Sequence, residues 1–161
     1  MRVEAVKKQL ESFGLLEGYR EFGTSSATVE LAAAAIGVAP GQIAKTLSFQ
    51  LKERMILIVM SGSARLSNRK FKAAFGEKAR LAPHEAALAL TGHAVGGVCP
   101  FGLKTPLDVY LDQSLRKFSH VYPAAGAGNN MVRVAVAELP GLVDTAGGAA
   151  WVDVAEDADS E

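Results

Sequence analysis

Two adjacent apolar segments near the middle of the chain restrict its fold more than any other feature. Residues 45–51 and 54–61 are rich in apolar and β-branched side chains, with Lys52 and Glu53 between them. This pattern predicts two strands joined by a tight polar turn, a β-hairpin. The most apolar run, residues 55–60, is far shorter than the roughly 20 residues that a membrane-spanning helix needs. We therefore expect the hairpin in the core of a globular protein, with no membrane partner.

Helix and strand signals on either side of the hairpin follow no regular order. Thr28 and Ser67 are typical helix N-caps, and Gly37 and Gly76 are suited to end those helices. Predicted helices cover residues 3–13, 28–36, 67–76, 83–92 and 137–142; predicted strands cover residues 19–22, 45–51, 54–61, 79–81, 108–112, 121–124, 131–136 and 150–154. Because no βαβ unit repeats, we predict a mixed α/β (α+β) fold: a curved or barrel-like mixed sheet surrounded by helices. A doubly wound fold is the second choice.

The length of 161 residues is typical of one domain. We predict a single domain over residues 1–155, followed by a frayed acidic tail over residues 156–161. The N-terminal segment lacks the apolar centre of a signal peptide, and a single cysteine excludes an internal disulfide and a multi-cysteine zinc site. A cytoplasmic location is expected, and no metal or organic cofactor is implied.

Positive charge is concentrated in one stretch, although the chain has 17 basic and 17 acidic residues. Residues 65–80 contain one acidic side chain, Glu77, against the basic side chains Arg65, Arg69, Lys70, Lys72, Lys78 and Arg80. The first four of these basic residues are candidate contacts for tRNA phosphates, which position an RNA without reading its bases. A solvated helix face explains them equally well.

The residues that could carry chemistry are a lysine and a glycine-rich loop. The sequence has no nucleophile elbow, P-loop, dinucleotide fingerprint or metal-binding histidine pair. Lys45 begins the first hairpin strand, and residues 91–102 read TGHAVGGVCPFG. An ammonium group facing free backbone N–H groups could bind an anion or an oxyanion. Each feature alone is more often a solvated strand end or a tight connection.

Six sequence words, in a fixed order, resemble a known family. They are IAKTLSF (43–49), RLSNRKFKAAFG (65–76), ARLAPHEA (79–86), TGHAVGGVCPFG (91–102), VYLDQSL (109–115) and VYPAAGAGNNMVRV (121–134). With these words the chain resembles the YbaK proteins and the editing domain inserted in bacterial prolyl-tRNA synthetases, which are aminoacyl-tRNA deacylases. Their collinear order over most of the chain is more specific than any single word.

The resemblance implies a free-standing enzyme that hydrolyses the ester of a mischarged tRNA. Lys45 matches the family's essential lysine and residues 96–100 its substrate loop, so Lys45, Gly96 and Gly97 are the predicted catalytic residues. The predicted substrate-binding residues are Thr46, Ser61, Val98, Cys99, Pro100, Phe101, Gly102, Asp112 and Gly126. The lysine would engage the terminal nucleotide or the aminoacyl group, and the loop backbone would hold the scissile carbonyl.

The implied substrates are small amino acids on the wrong tRNA. A binding pocket distinguishes one methylene by only about 10- to 200-fold, so synthetases for small amino acids need later correction. The expected substrate is tRNA for proline charged with alanine, cysteine, serine or a similar residue. An aminoacyl-tRNA synthetase is a further expected partner, and the sequence predicts no particular oligomeric state.

Several candidate residues have a second interpretation. Cys99 could be a covalent nucleophile, but a small residue lining the pocket is favoured because no histidine is placed by sequence to activate it. His93 could contact RNA or transfer a proton, although an exposed loop residue is the commoner outcome. Asp112 could orient Lys45 or the substrate amine, or it could cap the following turn. Gly126 could line the pocket or form a hairpin turn.

Two other functions compete with the deacylase. One is a noncatalytic tRNA-binding or synthetase-associated module of the same fold, against which the presence of both Lys45 and the GGVCP loop argues. The other is a hydrolase of small esters that does not need tRNA, for which the net charge of zero leaves room.

Overall fold

A computed structural model describes residues 3–23, 28–94, 97–143 and 150–157. The helices are α1 (Val3–Ser12), α2 (Val29–Ile36), α3 (Asn68–Phe75), α4 (His84–Thr91) and α5 (Leu139–Leu142). The strands are β1 (Tyr19–Glu21), β2 (Ile43–Gln50), β3 (Met55–Ser61), β4 (Ala64–Leu66), β5 (Asp108–Asp112), β6 (His120–Pro123), β7 (Asn130–Val132), β8 (Val134–Ala135), β9 (Ala150–Val152) and β10 (Ala155–Asp157). Short 3-10 turns lie at Leu16–Gly18, Pro40–Gln42, Gln113–Lys117 and Val136–Glu138.

The predicted hairpin is confirmed and lies at the centre of the main sheet. This sheet has the order β8-β6-β2-β3-β5-β9 and is mixed: β2 is antiparallel to β3 but parallel to β6, and β3 is parallel to β5. Two smaller antiparallel pairs, β1 with β7 and β4 with β10, form separate two-stranded sheets. The prediction of a curled mixed sheet surrounded by helices is therefore correct.

Strand β3 is buried on both faces because helices and loops cover both sides of the sheet. Leu57 and Val59 face a core that includes α1 and the loop after α4. Ile56 and Ile58 face the opposite core, which is closed by Phe71 of α3. A continuous apolar run is typical of a strand covered on both sides, which explains why this segment is so apolar.

The helix ends follow local chemistry as predicted. The hydroxyl groups of Thr28 and Ser67 accept hydrogen bonds from the third residue on, Leu31 and Lys70, at 3.1 and 3.3 Å. Both helices end at a glycine with a φ near 75°. Glycine adopts this left-handed conformation without steric cost, so it stops a helix at a defined position.

The structure differs from the predicted elements at several places, and strand β4 (Ala64–Leu66) was not predicted. Residues 79–81 form a single bridge, Phe49 with Leu81, rather than a strand. The strand predicted over residues 131–136 is divided between β7 and β8, which pair with different strands. Glu156 and Asp157 belong to β10 and pair with β4, so the predicted frayed tail begins as a strand. Throughout the described ranges, no helix is both long and apolar enough to cross a bilayer.

Candidate active site

A cavity of about 300 Å³ opens at one edge of β2. Its walls come from residues 43–48 of β2, from α2, from α4 and from the loop that follows α4. Most of the side chains that line it are small or apolar, among them Val29, Ala87, Val98 and Met131. Its volume lies at the lower end of the range for ligand sites, about 300–1,000 Å³, so it suits a small ligand.

The cavity exists because β2 loses its neighbour on this edge. β6 pairs with β2 at Ile43 and Ala44 and ends at Pro123, whose nitrogen carries no hydrogen. The next residue, Ala124, bridges to Met131 instead. Further along β2 the edge is occupied again by the bridge of residues 49 and 81. Between these points β2 is an open strand edge, and the cavity fills the gap.

The backbone of Thr46 faces this cavity. Gly62 N–H donates to the carbonyl of Ile43 at 2.6 Å. The peptide groups of Ile43 and of every second residue after it, such as Lys45 and Leu47, therefore point to β3. Residues along an antiparallel strand alternate between those that bond to the paired strand and those whose N–H and C=O point away from it. The peptide groups of Thr46 and Ser48 therefore point away from β3, to the opposite edge of β2. The carbonyl of Ser48 accordingly accepts from Ala82 N–H at 2.8 Å. Thr46, two residues earlier, presents its N–H and C=O to the cavity.

Lys45 lines the cavity from the other face of the strand. Its Nζ donates to the carbonyl of Ala64 at 2.5 Å and lies 3.5 Å from the carbonyl of Gly62. Burial lowers the pKa of Lys45 below the usual 10.5, and the charge of Glu30 opposes this shift. An ammonium group has three N–H donors, so one remains for a ligand when two are held by carbonyls.

Gly62 holds one of these carbonyls in place, and the sequence analysis did not identify it. A Cβ at this position would lie 2.3 Å from the carbonyl of Pro40 and 2.7 Å from Val29. Glycine is therefore needed for the residue 40 turn and α2 to pack against the end of the hairpin. The signal in the sequence was a glycine between two serines directly after an apolar strand.

The glycine-rich loop meets a second loop at Gly97. A Cβ on Gly97 would lie 2.6 to 2.8 Å from backbone atoms of Gly126 and Ala127, so only glycine allows this approach. The N–H of Gly97 donates to the carbonyl of Ala94 at 2.9 Å. Gly96, the other predicted catalytic glycine, lies outside the described residues.

Beyond Val98, which lines the cavity, the loop turns into the core. We predicted that Cys99, Pro100, Phe101 and Gly102 line the pocket, but they are buried and do not line this cavity. The reason is α1, which packs over the far side of the loop. Gly102 N–H donates to Gln9 Oε1 at 2.6 Å, and a Cβ on Gly102 would lie 2.9 Å from the backbone of Val6.

The environment of Cys99 argues against a nucleophile. Burial raises the pKa of the Cys99 thiol to about 12, so the thiolate is scarce at neutral pH. Its Sγ lies 3.6 Å from His93 Nε2, which is 2.7 Å from the carbonyl of Phe101. The expectation of an exposed His93 was wrong: this side chain is 1% exposed and also lines the cavity. His84, at the start of α4, also lines the cavity and is an exposed side chain.

Asn130 shapes the loop that contains Gly126. Its Oδ1 accepts hydrogen bonds from Ala125 N–H and Ala127 N–H, both at 3.1 Å, and its Nδ2 donates to Tyr19 Oη at 3.0 Å. Gly126 has a φ of 101° and packs against α1 rather than lining the cavity. The sequence analysis did not identify Asn130, because an asparagine in such a turn is common.

Asp112 and Ser61 are structural in this arrangement and do not line the cavity. The carboxylate of Asp112 is 1% exposed and accepts from Ser114 N–H at 2.9 Å and from Val154 N–H at 2.8 Å. Of the two interpretations of Asp112, the structure shows the cap. Ser61 Oγ donates to the carbonyl of Gly41 at 2.7 Å, behind the strand edge.

The basic segment lies outside the cavity and is partly neutralised by acidic residues near the C-terminus. Lys70 Nζ donates to Asp153 Oδ1 at 3.0 Å and to the carbonyl of Ala155 at 3.1 Å. Arg65 faces Glu156 in the β4–β10 pair. Arg69 and Lys72 are exposed on α3. Among the described residues, no three His, Cys, Asp or Glu side chains come together as a metal site.

Comparison with known proteins identifies the family of the chain. Residues 24–142 match the model of the aminoacyl-tRNA editing domain. The uncharacterized protein YwhH of Bacillus subtilis (strain 168) is 41% identical over 158 residues, which are 98% of this chain and 99% of that protein.

Two solved structures have the same fold over nearly the whole chain. One, described as a candidate trans-editing enzyme for prolyl tRNA synthetase, has 33% identity and a TM-score of 0.84 over 96% of this chain and 97% of that chain. Hypothetical protein APE2540 has 29% identity and a TM-score of 0.82 over 94% of this chain and 99% of that chain. The chain belongs to the aminoacyl-tRNA editing domain family and is a deacylase, a hydrolase whose substrate is an aminoacyl-tRNA.

Proposed function

We propose that the chain is a free-standing deacylase that removes small, wrongly attached amino acids from tRNA for proline, with the reaction at the open edge of β2. Water adds to the ester carbonyl, the bond from the acyl carbon to the ribose oxygen breaks, and the terminal hydroxyl of the tRNA is restored. The observation that carries the proposal is the partly buried ammonium group of Lys45 at the wall of a small cavity.

Lys45 would act by charge rather than by proton transfer. Negative charge develops on the carbonyl oxygen as water adds, and a fixed cation in a place poor in water stabilises it strongly. Two carbonyl groups hold the Nζ in position. The same ammonium could instead hold a phosphate of the terminal nucleotide, because lysine binds phosphate as a point charge.

The size of the cavity supports small amino acids. Ala82, Ala87 and Val98 bound the space beside Thr46, and a volume of about 300 Å³ leaves little room beyond an aminoacyl group and part of a ribose. Because a pocket resolves one methylene only weakly, alanine, cysteine and serine are all reasonable substrates.

The choice of tRNA and the free-standing form are inferred from the relatives. A structural relative is described as a candidate trans-editing enzyme for prolyl tRNA synthetase, and the chain spans 97% of it. YwhH is matched over 99% of its length, so the comparable proteins contain little beyond this domain. A prolyl-tRNA synthetase is accordingly the expected functional partner.

The proposal is tested by deacylation of a panel of charged tRNAs. We expect hydrolysis of tRNA for proline charged with alanine, cysteine or serine, and not of correctly charged prolyl-tRNA. Rapid hydrolysis of a small aminoacyl ester without tRNA would favour the small-ester hydrolase. Binding of tRNA with no hydrolysis above the spontaneous rate would favour the noncatalytic module and contradict the proposal.

A further inference from the structure

The unpaired part of β2 has a chemistry of its own that the role of Lys45 does not use. At Thr46 the strand has left β6 and has not yet reached Leu81, so its peptide N–H and C=O face the cavity. The hydroxyl oxygen of Thr46 is buried, and within the described residues it has no hydrogen-bond partner. Buried polar groups in native proteins nearly always have a partner, so these three groups together suggest a ligand.

We propose that the edge of β2 at Thr46 is the subsite for the aminoacyl group, which pairs with the strand as one residue of a further strand would. The Thr46 C=O accepts from the α-ammonium group of the substrate, and the Thr46 N–H donates to the ester carbonyl oxygen. Two facing residues of an antiparallel sheet exchange the same reciprocal pair of bonds. This inference rests on the proposed function and names the groups that hold its substrate.

The strand edge supplies a donor that two glycines of the loop do not. The N–H of Gly97 is already bonded to the carbonyl of Ala94, and the N–H of Gly102 is bonded to Gln9 Oε1. A carbonyl oxygen that becomes negative during the reaction needs a donor that is in place beforehand. The Thr46 N–H is held in position by the β2–β3 pairing on the other side of the strand.

This pairing also determines where the side chain of the amino acid lies. Facing residues in an antiparallel pair place their side chains on the same face, with Cβ atoms about 4.5–5.5 Å apart. Thr46 shares its face with Val59, which belongs to the core that includes Ala82 and Val98. The side chain of the substrate therefore enters the apolar side of the cavity, while Lys45 lies on the opposite face of the strand.

Thr46 then discriminates between small side chains. The Thr46 hydroxyl, which has no partner among the described residues, belongs to the same side chain and is the polar group available to the substrate side chain on this face. A seryl group offers this hydroxyl a hydrogen bond and an alanyl group does not. One such bond changes a rate ratio by about 3- to 10-fold, so seryl-tRNA should be favoured over alanyl-tRNA by this amount.

The first test is Thr46→Val, assayed on tRNA for proline charged with serine or with alanine. Valine keeps the shape and the backbone but removes the hydroxyl. We expect the serine to alanine ratio of kcat/KM to fall by about 3- to 10-fold. Thr105→Val makes the same chemical change at a residue that does not line the cavity and should leave the ratio unchanged. An unchanged ratio in Thr46→Val would overturn the role of the hydroxyl.

The second test is Thr46→Pro, which removes the N–H from the open edge without removing a bond between β2 and β3. We expect kcat/KM for both substrates to fall by about 100-fold, the loss typical of one oxyanion donor. Circular dichroism and the Tm establish whether the variant is folded; if it is not, an unchanged serine to alanine ratio in Thr46→Val overturns the subsite, because the substrate side chain then does not lie beside Thr46. A wild-type rate in folded Thr46→Pro would overturn the strand subsite alone. Failure of the unmodified chain to hydrolyse any charged tRNA would overturn the proposed function as well.

Discussion

Replacement of Asp112 separates a structural role from a catalytic one. Its buried carboxylate accepts hydrogen bonds from the N–H groups of Ser114 and Val154. A bond to a charged group contributes about 1.5–3 kcal/mol, so Asp112→Ala should lower the free energy of unfolding by about 3–6 kcal/mol. That is a large part of the roughly 5–15 kcal/mol of a typical domain. Asp112→Asn keeps one acceptor and should lose about half as much.

Thermal unfolding measures the loss of stability in the Asp112 variants. Deacylation at a temperature where the variants are folded measures any catalytic role of Asp112. For a domain of this size 1 kcal/mol corresponds to about 2–4 °C, so Asp112→Asn should lower the Tm by roughly 5 °C. Its kcat/KM should remain within about threefold of wild type while it is folded, since Asp112 does not line the cavity. Asp153→Asn is the control: its exposed pair with Lys70 should contribute at most about 1 kcal/mol. Loss of activity in Asp112→Asn without loss of stability would refute this reasoning and restore a role in orienting Lys45.

Four further predictions follow from the same contacts. Cys99 should react with a thiol reagent only after unfolding, because it is buried and its pKa is raised to about 12; rapid labelling of the folded protein would contradict its placement. Gly62→Ala should lower the free energy of unfolding by about 1–3 kcal/mol and reduce kcat, because its Cβ meets the residue 40 turn; an unchanged Tm would contradict this. Since burial lowers the pKa of Lys45, the ammonium loses its proton earlier than usual, so the rate corrected for spontaneous hydrolysis should fall with rising pH already below 10.5. The double variant Arg69→Ala and Lys72→Ala should raise KM and weaken its salt dependence; if neither changes, this helix face is only solvated.

Local features of the fold could be predicted because their causes are local. Thr28 and Ser67 cap helices whatever the rest of the chain does, and the hairpin follows from its two apolar runs and the polar turn between them. Lys45 was a candidate by its place near the start of the first strand, but only the family resemblance distinguished it from an ordinary strand-end lysine, and its catalytic role stays a prediction.

Features of the site that depend on distant contacts could not be predicted. The open edge at Thr46 results from a parallel pairing with β6, nearly half the chain away. The burial of Cys99 depends on α1, which lies about 90 residues earlier in the chain and packs Val6 and Leu10 into the same core. The bond from Val154 to Asp112 joins residues 42 positions apart, whereas the bond from Ser114 lies two residues away and was predictable as a cap.

The proposed role of Lys45 is tested most directly by single-turnover deacylation of mischarged tRNA for proline by Lys45→Met. Burial disfavours the charge of Lys45, so the apolar variant should unfold at the same Tm as wild type or a higher one. Its rate should nevertheless fall by about 100-fold or more, because the cation near the ester is lost. A wild-type rate in the folded variant would contradict the account.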